Sequence, residues 1–250
     1  MTPAGAATSE IPGSGGAPPG RLEAIDIARG AALVAMAVYH FTWDLEHFGY
    51  AIPGLTASGG WKLFARAIAS TFLFIAGISL VIGHGERIRL RPFLRRTATV
   101  AGAALAISIV TWLLFPGSFV FFGILHHIAI AGVVGLAVLR LPASVLAALA
   151  LVAFIIGNGW QSPVFDPRPA AWIGFSQSAP RSNDFVPLFP WLAASFLGMA
   201  AWKAAAAFGL SSRLAAIRAG GVLRPLAAAG RHSLLIYLLH QPILFGLVAL

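Results

Sequence analysis

No cysteine occurs anywhere in the sequence, which excludes a disulfide framework, a thiolate-ligated metal and a thiol nucleophile. Charge is nearly as scarce. Charged residues make up 10% of the 250 and only 8 are acidic, where soluble domains carry roughly a quarter charged residues. Hydrophobic residues reach 58% and the mean hydropathy is +0.84. A chain this apolar reads as an all-α polytopic membrane bundle, with the lipid bilayer as its first partner. The net charge of +9 does not call for nucleic acid, because topology accounts for most of it.

Residues 1–20 have no basic residue and no apolar run, so they do not read as a signal peptide. Their Gly, Pro, Ala, Ser and Thr content predicts a disordered tail, with a single transmembrane domain over 21–250. Seven apolar segments follow, at 25–45, 61–82, 94–115, 119–139, 143–160, 186–207 and 226–249. There is room for an eighth in 46–60 or 208–224. With the N-terminus in the cytoplasm, 13 of the 17 Lys and Arg residues fall inside, including Arg87, Arg89, Arg91, Arg95 and Arg96. The positive-inside rule therefore predicts a multi-pass protein of the cell inner membrane with a cytoplasmic N-terminus. The external stretch 161–185 reads as either a lid or a connector.

The first segment carries most of the chemistry. Asp26, Arg29, His40, Asp44 and His47 lie in or beside it, and ionisable groups in a span mark a working site by default. Arg29 and His40 are eleven residues apart, about three turns and about 16 Å of rise, so they share a face. A neutral imidazole at His40 suits general-base work, with Asp44 one turn further out to accept its other N–H. Asp26 and Arg29 could equally be a pair that anchors the helix start. His126 and His127 are adjacent, so at most one faces a shared cavity while the other bonds locally. His240 precedes Pro242, which frees a backbone carbonyl near Leu238. Asp184 could cap the sixth segment or touch a substrate. The expected cavity lies between the first, fourth, sixth and last spans.

Four blocks carry a resemblance: RLEAIDIARG with M-x3-H-x3-DL-x2-FG, then FFGILHHIAI, DFVPLFPWLAASFLGM and GRHSLLIYLLHQPI. Together they resemble the bacterial membrane family related to heparan-α-glucosaminide N-acetyltransferase catalytic domains, over residues 21 to about 245. The Arg29–His40 spacing also resembles the wider transmembrane acyltransferase superfamily. The resemblance implies transfer of an acyl group from cytosolic acyl-CoA, such as acetyl-CoA, to a sugar hydroxyl or amine on the other side. It implies that Arg29, with Asp26, holds the donor, and that His40, with Asp44, activates the acceptor or carries the acyl group. His47, His126, Asp184 and His240 would contact the substrate, and no metal is expected. There is one departure. In the animal enzymes Asn stands at the place of His40, and their catalytic His falls at Ala51 here, so transfer to glucosamine does not carry over.

Two other classes compete. A transporter or proton-coupled channel would also use a His and Asp track, though no inverted repeat accompanies it. A haem protein would draw axial ligands from His40, His126 and His240. A retinal protein needs a Schiff-base lysine, and the last segment has none.

Overall fold

The computed structural model describes residues 22–250, so the tail expected over 1–20 lies outside the described residues. Those described form ten α-helices and one short 3-10 turn, Pro163–Phe165. In chain order the helices are α1 Glu23–His47, α2 Gly59–His84, α3 Leu90–Leu114, α4 Ile124–Ala137 and α5 Ala143–Gly159. Then come α6 Arg168–Ala171, α7 Leu192–Ala207, α8 Leu210–Ala216, α9 Leu223–Arg231 and α10 Ser233–Val248. No strand is present among the described residues, only two isolated bridges, Phe122 with Phe185 and Ser162 with Ser176.

The protein is an all-α membrane protein, but seven is a count of apolar segments rather than of full-length spans. Among the described residues only α1, α2 and α3 are long and apolar enough to cross a bilayer, and a fourth span exists if α7 and α8 are counted together across their 97° bend. At 14 residues, α4 is about 21 Å long, short of the roughly 30 Å hydrocarbon core. The shortening has local causes. The segment before α4 turns at Pro116–Ser118 and stays non-helical through the phenylalanines that follow. Pro187 and Pro190 delay α7 to Leu192, since proline lacks the N–H a helix interior needs. The last segment breaks at His232 into α9 and α10. Between α1 and α2, residues 48–58 form a loop, so 46–60 holds no further helix, whereas 208–224 holds α8 and the start of α9.

Two close crossings set the bundle. A Cβ at Gly30 would strike the Leu226 carbonyl, and one at Gly230 would strike the Asp26 carbonyl, so α1 and α9 touch backbone to backbone. Gly77 and Gly198 do the same for α2 and α7, against Ser195 and Phe74. Small residues at such crossings let membrane helices gain van der Waals contact. The main apolar core, including Leu80, Phe93, Leu146, Phe196 and Met199, joins α2, α3, α4, α5 and α7. In contrast, α3 buries only Phe93 and Ala104 and leaves Leu105, Ile109, Trp112 and Leu113 exposed. It stands as a loosely held wall.

The 161–185 stretch is a folded cap. The Asp166 carboxylate accepts the Gln177 and Ser178 N–H groups at 2.8 and 2.9 Å. Trp160, Phe165 and Phe175 pack edge to face, and Phe175 stacks on Phe189.

Candidate functional site

A cavity of about 930 Å³ opens between α1, α2, α3, α4 and α10. Arg29 from α1 and Arg91, Arg95 and Arg96 from α3 line it, with Thr99 and Ser233. Phe72, Ala76, Leu125 and Ile128 make its apolar walls, and Ile124 and Tyr237 also line it. None of its lining residues is acidic. The cavity therefore pairs four guanidinium groups with an apolar interior, which suits an anion bearing a long apolar arm.

This arrangement corrects the expected lining. The sixth apolar segment, now α7, does not reach the cavity. Its glycine crossing with α2 places it behind that helix. The second and third helices take the place assigned to it.

Arg29 is held in position rather than left loose. Its Nη1 donates to Asp26 Oδ1 at 3.1 Å, and its Nη2 donates to the Ser79 hydroxyl at 2.5 Å. Asp26 is only 2% exposed. The pair thus anchors the helix start and presents a guanidinium to the cavity at once.

Further along α1, the His40 ring packs edge-on against the His240 ring of α10, 4.9 Å between centroids. It also lies edge-on to Tyr39 at 5.6 Å. Asp44 is fully buried, yet it does not take the His40 N–H. Its Oδ1 accepts from Gln241 Nε2 at 2.7 Å instead, tying α1 to α10. His240 Nδ1 donates to the Tyr237 carbonyl at 2.7 Å, so the polar spot near Pro242 forms at Tyr237, one residue from the carbonyl the proline frees. His47 is exposed, stacked on Trp43, with Phe115 and Phe245 beside it. Those rings close the Asp44 end of the bundle.

His126 and His127 are both committed locally. Gly123 N–H donates to His126 Nδ1 at 3.2 Å, so Nε2 carries the proton and donates to the Ser108 hydroxyl at 3.2 Å. His127 is fully buried and its Nδ1 donates to the Pro187 carbonyl at 3.1 Å. Neither lines the cavity. Asp184 caps α4, not the helix that follows it. Its Oδ2 accepts the Ile124 N–H at 3.0 Å and the Tyr237 hydroxyl at 3.4 Å. Burial pushes the Asp184 carboxyl above its ordinary range, against the opposing pull of these two donors.

The structure thus brings His40, Asp44 and His240 together along one α1–α10 seam, while Arg29 lines the cavity about three turns away along α1. It sets His126 and Asp184 at the start of α4, and His47 at the far rim. Sequence reasoning missed Arg91, Arg95 and Arg96 as cavity residues, reading them only for topology. Arg91 and Arg95, four apart, share a helix face, but the same spacing serves a topological anchor equally well. Gln241 and Tyr237 carried no comparable signal.

Among known protein families, one described as heparan-alpha-glucosaminide N-acetyltransferase, catalytic, matches residues 21–242 of the chain. No curated protein and no solved structure matches it.

Proposed function

Since the chain belongs to the heparan-alpha-glucosaminide N-acetyltransferase catalytic family, we propose that it is an integral-membrane acyltransferase taking acetyl or acyl groups from cytosolic acyl-CoA. The observation that carries this is the cavity: four arginines and no acidic lining residue at one region, an apolar interior, and Tyr237 toward the imidazoles. Acyl-CoA has matching chemistry. Its phosphates suit Arg29, Arg91, Arg95 and Arg96, and its uncharged pantetheine arm suits the apolar walls. The helical rise from Arg29 to His40, about 16 Å, is comparable to that arm.

His40 is the imidazole at the reacting end, with Asp44 fixing the α1–α10 register beside it. The acceptor is a sugar hydroxyl or amine entering from the opposite face, past His47. Asp184 and His126 shape the α4 start that closes the cavity. The distribution of basic residues supports a cytoplasmic, inner-membrane side for the arginine end.

The test is thermal stabilisation of the detergent-purified protein by acetyl-CoA. Saturable stabilisation that weakens in Arg95→Ala supports the reading. A folded protein unmoved by millimolar acetyl-CoA would leave the transporter reading ahead.

A further inference from the structure

We propose that His240 is a second catalytic imidazole, its Nε2 taking the proton of the acceptor during transfer; this rests on the acyltransferase reading above. A carbonyl oxygen can only accept, so the 2.7 Å bond to Tyr237 places the neutral ring's proton on His240 Nδ1. Nε2 is then the lone-pair nitrogen, the form a general base requires. It is buried and has no hydrogen-bond partner among the described residues. Unpartnered buried acceptors are rare in folded proteins and call for a reason.

His240 Nε2 is not alone. Asp44 Oδ2 and Gln241 Oε1 are also buried acceptors without a donor, and these two side chains are joined by the 2.7 Å Gln241–Asp44 bond. The α1–α10 seam next to His40 therefore carries three unsatisfied acceptors on neighbouring side chains. What complements them is a ligand that brings donors, the O–H or N–H of an acyl acceptor. His240 also sits one turn from Tyr237, which lines the cavity, with 5.7 Å between the two rings. A donor-derived thioester reaching past Tyr237 would meet the acceptor at this seam.

The tautomer divides the work between the two rings. No hydrogen bond among the described residues fixes the ring nitrogens of His40, whereas His240 is preorganised with Nε2 as base. The acceptor O–H or N–H gives its proton to His240 Nε2 as the acceptor heteroatom bonds to the thioester carbonyl carbon. The C–S bond breaks, and the CoA thiolate leaves and takes that proton back from the imidazolium. Nothing is consumed beyond acyl-CoA and acceptor. His40, its ring 4.9 Å from that of His240, is left on the acyl side of the same centre.

The experiment uses the full chain in lipid nanodiscs, with acetyl-CoA as donor and a methyl glucoside, which offers only sugar hydroxyls, as probe acceptor. Because the chain has no cysteine, a thiol reagent reports only released CoA. His240→Asn keeps an N–H where Nδ1 stood but removes Nε2. Turnover should fall about 10²–10⁴-fold, with acetyl-CoA stabilisation unchanged, and added imidazole should restore part of the turnover in His240→Ala. Turnover in His240→Asn within about threefold of wild type overturns the role. Independently, ¹⁵N NMR of histidine-labelled protein should show the His240 resonance, identified by its loss in His240→Asn, as the Nδ1–H tautomer. A protonated Nε2 overturns the assignment whatever the activity. Wild-type protein that neither binds acetyl-CoA nor releases thiol overturns the acyltransferase reading and the role with it, while the tautomer remains separately readable.

Discussion

Gln241 donates its amide to the buried carboxylate of Asp44 at 2.7 Å, joining the first and last helices beside the paired imidazoles of His40 and His240. Gln241→Leu removes that donor from a carboxylate that is 0% exposed. An unsatisfied buried acceptor costs about 1–3 kcal/mol, so Tm should fall. Replacing both residues by leucine should recover much of the loss, because removing both partners avoids stranding either. A double-mutant cycle on thermal stability measures the coupling, and additive losses would mean the bond contributes nothing of its own.

Arg95 reads donor binding more cleanly than Arg29. Arg95→Ala removes a cavity cation from the exposed side of α3 and should weaken acetyl-CoA about tenfold to a hundredfold. The deficit should shrink as salt rises, since screening weakens the wild-type contact too. Arg29→Ala also takes an ion-pair partner from Asp26, so Tm and affinity should fall together. Titrations of both variants at low and high ionic strength check this. An Arg95→Ala affinity equal to wild type would remove α3 from the donor site.

The glycine crossings make a prediction about stability alone. A Cβ at Gly198 would overlap the Phe74 carbonyl, which is backbone and cannot rotate away. Gly198→Ala should cost about 1–3 kcal/mol by overpacking. Gly102→Ala on α3 meets nothing within 4 Å and should be neutral or gain up to about 1 kcal/mol from helix propensity. Melting curves of the two variants decide it. Equal behaviour would show that α2 and α7 can separate without loss.

What could be read from the sequence was local. Arg29 and His40 share a helix face because eleven residues is close to three turns, and α1 is an unbroken helix in which that arithmetic holds. The family was legible for a related reason, since its motifs are short and ordered along the chain. The partner of Asp44 was not legible. It lies 197 positions away, and only the packing of α9 and α10 on α1 brings it there, whereas His40 was the nearest candidate in sequence. The same limit applies to Arg91, Arg95 and Arg96. A basic cluster at a helix start satisfies the topology rule so well that nothing in one dimension separates an anchor from a cavity wall. The boundaries of α4 and α7 were lost to Pro187, Pro190 and the non-helical run before Gly123, where apolar composition does not imply helix.

Asp184 tests how the start of α4 is held at the cavity. Its carboxylate accepts the Ile124 N–H at 3.0 Å, where a helix N-terminus favours an acceptor. Burial nevertheless raises its pKa in the folded protein. A carboxyl whose folded pKa is raised contributes stability that is fully present below the unfolded value, near about 4, and lost as pH rises through the folded one. At neutral pH the ionised group is therefore a liability that the cap partly offsets. Asp184→Asn keeps an oxygen for Ile124 without the buried charge, so it should hold or raise Tm at pH 7 and flatten its decline between mildly acid and neutral pH. Asp184→Ala has no oxygen to offer Ile124 and should lose about 0.5–2 kcal/mol. Melting temperatures of both variants from pH 5 to 8 check the sign. A lower Tm for Asp184→Asn than for wild type at pH 7 would mean the charge itself, set against the helix start and the Tyr237 hydroxyl, is what holds α4 in place.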